Sequence, residues 1–128
     1  MAEDLLDHWV GLLTPIFPPH AWIVSRFSGN NHIILIDWKL GSDPQQRNKR
    51  SKKIQIIIKE DAIDNYLGKN DKDRDIYNSL LKESICERYN RFNPDHDAVT
   101  IEFMPTETWF VSKDFLNTLT NRNNPGHV

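Results

Sequence analysis

Two short apolar runs on either side of a Gly-Asn pair constrain the fold of this chain more than any other feature. AWIVSRFS (21–28) and HIILIDWKL (32–40) are rich in β-branched and aromatic residues, and Gly29-Asn30-Asn31 joins them. Short β-prone segments around Gly-Asn are typical of a β-hairpin. The sequence therefore predicts two antiparallel strands here. The second has one apolar face, with Ile34, Ile36, Trp38 and Leu40.

A third strand is predicted at KKIQIIIKE (52–60), where Ile54, Ile56 and Ile58 recur with the two-residue period of a strand. The residues between the second and third strands, GSDPQQRNKRSKK (41–53), would form the connecting loop. This loop carries five positive charges against one acid, Asp43. The five cationic residues are Arg47, Lys49, Arg50, Lys52 and Lys53.

Helical periodicity predicts a first helix over 3–13, a short helix over 60–68 that ends at Gly68, and a long helix over about 72–92. Asn70 or Asp71 would cap the long helix at its N-terminus. The apolar residues of the long helix form one wide arc, which suits a helix that lies across a sheet. Its members are Ile76, Leu80, Leu81, Ile85, Tyr89 and Phe92.

The C-terminal quarter alternates again. AVTIEFM (98–104) and TWFVS (108–112) predict two strands joined by a turn at 105–107, followed by a short helix from Lys113 and a frayed tail at 121–128. The whole chain, 1–128, is thus predicted to form a single α+β domain. An N-terminal helix precedes a mainly antiparallel sheet of about five strands (β-β-β-α-β-β), with the long helix packed on one face.

Composition limits the function classes. The net charge is −2, so the chain has no global attraction to nucleic acid or anionic membrane. The 41–53 stretch contributes +4, which leaves −6 for the remainder. One cysteine, Cys86, rules out an intramolecular disulfide and a thiolate metal cluster. The N-terminal residues lack the basic start of a signal peptide, and no apolar run reaches the ~20 residues of a membrane helix. We expect a soluble, cytoplasmic protein that does not enter the membrane.

From Lys53 to Leu116 the sequence gives a strand, KEDAIDNYL, a long helix, a β-hairpin and then SKDFL. This order resembles small bacterial α+β domains of unknown function, in which a strand runs into an acidic helix. The order of predicted elements is also similar to that of type III secretion chaperones. It runs helix, three strands, helix, two strands and helix, although the long final helix of that family is missing. The resemblance implies a bacterial α+β protein and assigns no catalytic residue.

Motifs for catalysis are sparse. Asp37-Trp38-Lys39 on a strand matches the acid-x-Lys part of a metal-dependent nuclease core, but residues 21–36 supply no second carboxylate to clamp a metal ion. Phosphate-loop, dinucleotide and nucleophile-elbow motifs are absent, and the five histidines are scattered. We therefore expect a protein without enzymatic activity, cofactor or bound metal.

Two interpretations of the basic loop remain open. Five cations on a mobile hairpin tip could bind a nucleic-acid backbone in a salt-dependent way, or steer an acidic protein partner. Equally, Lys and Arg at a sheet margin simply prevent edge-to-edge pairing, and the loop has no aromatic residue for base stacking.

IFPPHAW (16–22) mixes large apolar residues with prolines, and the first helix precedes it. An exposed apolar patch of this kind is typical of a protein interface. The interface residues predicted from it are Leu6, Trp9, Phe17 and Trp22. The leading hypothesis is an adaptor, chaperone-like or regulatory protein that contacts another protein or a second copy of itself. The alternative is nucleic-acid binding through residues 47–53, and the third hypothesis is a nuclease that uses Asp37 and Lys39.

Overall fold

The part of the chain described by the computed structural model, residues 2–40, 50–94 and 106–114, forms an α+β fold of three α-helices and one four-stranded mixed sheet. In chain order the elements are α1 (Ala2–Leu13), a 3-10 helix (Thr14–Ile16), β1 (Trp22–Ser28), β2 (Asn31–Asp37), β3 (Lys53–Ile58), α2 (Glu60–Leu67), α3 (Asp71–Asn90) and β4 (Thr106–Val111). None of the helices among these residues combines the length and apolarity that a membrane span requires.

β1 and β2 form the hairpin that the Gly-Asn pair predicts. Ser28 pairs with Asn31, so the turn contains only Gly29 and Asn30. Gly29 has a φ of 60°. No described residue other than glycine has a positive φ, so Asn30 has a negative one, and this combination defines the type II′ turn, whose twist matches that of the two strands. This turn therefore fixes the register of the hairpin without strain.

The strand order is β1-β2-β3-β4, with two antiparallel pairings followed by a parallel one between β3 and β4. The predicted α+β class is confirmed, but the predicted arrangement of about five mainly antiparallel strands is not matched. β4 starts at Thr106, inside the predicted turn, and it runs parallel to β3. The chain passes through α2 and α3 before it returns, which is the long crossover that a parallel pair needs. The predicted strand at 98–104 lies outside the described residues.

The core lies between the helices and one face of the sheet, called the inner face below. Ile54, Ile56 and Ile58 are at most 1% exposed, which confirms the predicted alternation of β3. The other strand residues that share this buried cluster are Ile34, Ile36, Trp109 and Val111, and Trp38, directly after β2, belongs to it as well. The helical residues of the same cluster are Leu5, Leu6, Trp9, Leu13, Ala62, Ile63, Tyr66, Tyr77, Leu81 and Ile85.

The helix boundaries follow their capping residues. The Asn70 side chain accepts a hydrogen bond from the Asp73 backbone N–H at 2.9 Å, which satisfies one of the free donors at the start of α3. Gly68 follows α2 as predicted. The predicted apolar arc of α3 is wrong at Ile76, which is 45% exposed, because the helix turns the neighbouring Tyr77 toward the core instead.

The sheet continues past β2 into an irregular pairing stabilised by Ser51. Ile36 pairs with Ile54 and Lys39 pairs with Arg50, so three steps along one strand match four along the other. One extra residue of this kind is the mark of a β-bulge. Ser51 is fully buried there, and its Oγ accepts a hydrogen bond from the Trp38 N–H at 3.0 Å and donates one to the Lys52 carbonyl at 2.9 Å.

We expect Ser51→Ala to lower the free energy of unfolding by about 1–3 kcal/mol, because the buried Trp38 N–H loses its acceptor. Urea denaturation followed by tryptophan fluorescence measures the change. Ser79→Ala, at an exposed position of α3, is the matched control and should stay within about 0.5 kcal/mol of wild type. Equal effects of the two substitutions would contradict a structural role for the Ser51 hydroxyl.

His32 is the most buried titratable side chain described, at 2% exposure. Its ring makes edge contacts with Trp9 and Phe27, at centroid distances of 5.6 and 4.9 Å. Among the described residues neither His32 Nδ1 nor Trp9 Nε1 has a hydrogen-bond partner. Removal from water disfavours the imidazolium, so burial lowers the pKa of His32 below its ordinary value.

This lowered pKa predicts a loss of stability at acidic pH. Below about pH 6.5 the unfolded chain binds a proton at His32 that the folded chain resists, so the free energy of unfolding falls as the pH drops. We expect His32→Gln to show a smaller decline between pH 7.5 and 5 in urea denaturation. His8→Gln, at an exposed position of α1, should keep the wild-type decline. An unchanged decline in His32→Gln would contradict the assignment.

Candidate interaction surface

The second face of the sheet, called the outer face below, is opposite to the described helices and the core. The strand registers place alternate residues of each strand on it. These residues are Trp22, Val24, Arg26 and Ser28 of β1, Asn31, Ile33, Leu35 and Asp37 of β2, Lys53, Gln55 and Ile57 of β3, and Thr106, Thr108 and Phe110 of β4.

The outer face is apolar and partly open to solvent. Trp22, Phe110 and Val24 are 64, 53 and 44% exposed, although each is large and apolar. Ile33 lies between them in the sheet and is only 5% exposed, so the exposed apolar side chains form two patches, Trp22 with Val24 on β1 and Phe110 on β4. Neighbouring exposed apolar side chains such as Trp22 and Val24 are typical of a binding site.

The charges of the outer face are mostly positive. Arg26 and Lys53 belong to its strand residues, whereas Asp37 is the single carboxylate among those residues. Each exposed aromatic ring also has a cation beside it. The Arg50 guanidinium carbon is 5.5 Å from the centre of the Trp22 ring, and Lys59 Nζ is 5.9 Å from that of Phe110. Distances under ~6 Å allow a cation–π attraction.

Arg50 connects this face with the base of the 41–49 segment. Its Nε donates a hydrogen bond to Asp37 Oδ2 at 2.7 Å, and the two side chains are only 18 and 15% exposed. The hydrogen bond raises the pKa of the guanidinium, while partial burial acts in the opposite direction. Because Asp37 and Trp22 are cross-strand neighbours, the three side chains form one cluster at the end of the sheet.

The structure describes three of the five cations of the predicted basic loop. Arg47 and Lys49 lie outside the described residues. The prediction of a free, mobile tip is wrong for the other three cations, since backbone pairing fixes them at the sheet margin. Arg50 pairs with Lys39, the Lys52 N–H donates to the Pro94 carbonyl at 2.9 Å, and Lys53 begins β3. Their role in binding stays a prediction.

The predicted interface is wrong at three of its four residues. Leu6, Trp9 and Phe17 are 3 to 5% exposed and belong to the core. The 3-10 helix after α1 folds the proline-containing segment back onto α3, where the Phe17 ring lies 5.3 Å from that of Tyr89. Trp22 alone is exposed, because it comes after this segment and faces outward from β1.

Sequence reasoning missed Val24 and Phe110 as surface residues. A signal was present, since β1 and β4 carry large apolar residues on both faces. Strands that are apolar on both faces are typical of sheets in which both faces pack against other protein elements. The period-two pattern identifies the two faces but does not tell which of them the helices occupy.

Metal chemistry finds no support in the described ranges, where no three His, Cys, Asp or Glu side chains come together as a metal site would require. At the acid-x-Lys tripeptide, the charged side chain that the structure shows in contact with Asp37 among the described residues is the cation Arg50.

Comparison of the chain with family models, with curated proteins and with solved structures gave no match. The resemblance to small bacterial α+β domains and to type III secretion chaperones therefore stays a prediction. What the protein does has to be inferred from the chemistry of the outer face.

Proposed function

We propose that this is a non-enzymatic protein that binds an acidic segment of a partner protein on the outer face of its sheet. The observation that carries the proposal is the exposure of Trp22 and Phe110, each beside a cation, on a face whose described strand residues include one carboxylate. An adaptor, regulatory or chaperone-like role agrees with such a surface. A cytoplasmic location agrees with the single Cys86.

The Trp22 site has the features of an interface hot spot. Trp and Arg are the residues that most often dominate interface energetics. Here Arg50 is already oriented by Asp37, so it loses little rotamer entropy when a partner docks. A partner carboxylate would approach a face of excess positive charge, and an apolar partner residue would cover the indole ring. Electrostatic steering and apolar burial would then act together.

Peptide selection tests this proposal without knowledge of the partner. Random 12-residue peptides displayed on phage are selected on the wild-type protein, and the enriched peptides are titrated by fluorescence anisotropy. We expect enriched sequences to combine Asp or Glu with apolar residues. We expect their affinity to fall at least tenfold in the double variant Trp22→Ser, Phe110→Ser.

The matched control is Leu67→Ser, Ile76→Ser, which removes two exposed apolar residues, 51 and 45% exposed, from α2 and α3. It should bind the selected peptides as the wild type does. Peptides without acidic residues, or peptides that bind both double variants equally, would contradict the outer face as the binding site.

Nucleic-acid binding is the second candidate, and a specific observation favours it. The loop itself lacks aromatic residues, but the sheet sets Trp22 against Arg50 and Phe110 against Lys59 on one open face. Exposed aromatic rings flanked by cations on a sheet are the usual platform on which single-stranded bases stack.

For this candidate we expect micromolar binding of a fluorescein-labelled single-stranded oligonucleotide at ~50 mM salt, weakened about tenfold to twentyfold at ~200 mM if three phosphates are contacted. The triple variant Arg26→Ser, Lys53→Ser, Lys59→Ser should abolish that binding. Lys72→Ser, Lys82→Ser, Arg91→Ser removes the same charge from exposed positions on or just after α3 and serves as the control. Absence of binding at low salt, or equal loss in both triple variants, would reject this candidate.

The nuclease hypothesis has the weakest support, since Arg50 occupies the position beside Asp37 where a metal site would need a carboxylate.

A further inference from the structure

β1 is an edge strand. It pairs with β2 on one side, and no strand among the described residues pairs with its other side. It is also the strand with the most exposed apolar side chains, because Trp22, Val24 and Phe27 are three of the six exposed large apolar residues described. An open edge that is seven residues long and apolar invites pairing with another strand.

The hairpin register shows which backbone groups of β1 are unpaired. Ser28 and Asn31 close a two-residue turn, so they form a hydrogen-bonded pair. Because such pairs alternate along an antiparallel ladder, the N–H and C=O groups of Trp22, Val24 and Arg26 point toward β2. Those of Ile23, Ser25 and Phe27 point away from β2, toward the open edge.

We propose that β1 pairs with β1 of a second copy, in antiparallel orientation, about a two-fold axis at Ser25. The three outward residues are spaced symmetrically around Ser25, the middle residue of the strand. In this register Ser25 lies opposite the second copy's Ser25, and Ile23 lies opposite the second copy's Phe27. Each of these pairs exchanges two backbone hydrogen bonds, so all three outward N–H groups of each copy are satisfied.

The side chains also suit this register. Arg26 is the one charged residue of β1, and it lies opposite the second copy's Val24, so the pairing brings no like charges face to face. The apolar Ile23 and Phe27 meet across the axis on the inner face. A pairing shifted by two residues would keep the backbone geometry but would leave strand ends unpaired, so the Ser25-centred register uses the whole strand.

The available area predicts a weak dimer. Phe27, 41% exposed, offers roughly 100 Å² per copy if an aromatic side chain presents at most about 250 Å², whereas Trp22 stays open on the outer face. With the backbone edge and the neighbouring side chains included, the two copies would bury less than the ~1,000 Å² of a stable interface, an area typical of weak, transient complexes. We therefore expect a dissociation constant in the micromolar range. The resulting sheet of eight strands keeps its outer face open, so the proposed partner site would be duplicated.

Sedimentation velocity at protein concentrations of about 5–500 µM tests the association. A weak dimer is revealed by a weight-average sedimentation coefficient that rises with concentration. We expect an equilibrium that stops at two copies, because two-fold pairing is closed. A monomer at the highest concentration, or growth beyond two copies, would overturn the proposal.

Proline substitution distinguishes the edge from other surfaces. Ser25→Pro removes an N–H that points to the open edge, so we expect the circular dichroism spectrum and Tm of the wild type together with at least tenfold weaker dimerisation. Val24→Pro removes an N–H that bonds β2 and should lower the Tm of the protein or prevent folding. A dimer that survives Ser25→Pro would place the interface elsewhere.

Cross-linking tests the register independently of any folding defect. In a Cys86→Ser background, which removes the natural thiol, Ser25→Cys would place two cysteines across the axis. Their Cα atoms would be about 5.5 Å apart, within disulfide range. Mild oxidation should yield a covalent dimer, whereas Ser28→Cys should not, because it lies opposite the second copy's Trp22. Cross-linking at Ser28 but not at Ser25 would refute the register.

Peptide binding by the Ser25→Pro monomer would show that the proposed function does not depend on dimerisation.

Discussion

The two-residue turn at Gly29-Asn30 is the constraint on which the rest of the structure depends. Side chains of a strand alternate between faces, so a register shift of one residue between β1 and β2 would move every apolar side chain of β1 to the opposite face. The positive φ of Gly29 permits the tight turn that prevents this shift. The same register places Ile34 and Ile36 against the helices and sends Trp22 to the outer face. Core and surface are therefore fixed by one local interaction.

The two faces of the sheet differ in how far they are covered, and the proposed function depends on the face that stays exposed. Helices α1, α2 and α3 supply the apolar side chains that share the inner-face core, whereas the outer face leaves Trp22 and Phe110 in solvent. Exposed aromatic surface of this size carries a risk of non-specific association. Arg50 and Lys59 reduce that risk, because they cover the rings with charge that water can still solvate. The positive charge also favours partner segments that combine acidic residues with apolar ones.

The sequence predicts local elements well, since each depends on neighbouring residues. The hairpin, the inward isoleucines of β3 and the cap at Asn70 follow from turn chemistry, alternation and capping preference. Long-range features were harder to predict. The parallel return of β4 depends on where α3 delivers the chain, and the burial of Phe17 depends on a 3-10 turn that positions it over Tyr89. Neither the parallel pairing nor the aromatic contact has a signature within a short window of sequence. The residues Leu6, Trp9 and Phe17, predicted to form an interface, therefore belong to the core instead.

The bulge at Ser51 has a consequence for how this protein can change over evolutionary time. The Lys39–Arg50 bridge and the Ser51 hydrogen bonds hold together the two chain ends that flank residues 41–49. Once those ends are tied, a longer insertion adds little entropic penalty, about 0.6 kcal/mol for each doubling of loop length. Relatives of this protein could therefore differ widely in the length and charge of the segment while they keep the same sheet. Diversification would then be tolerated beside the Trp22–Arg50–Asp37 cluster, where it could retune recognition.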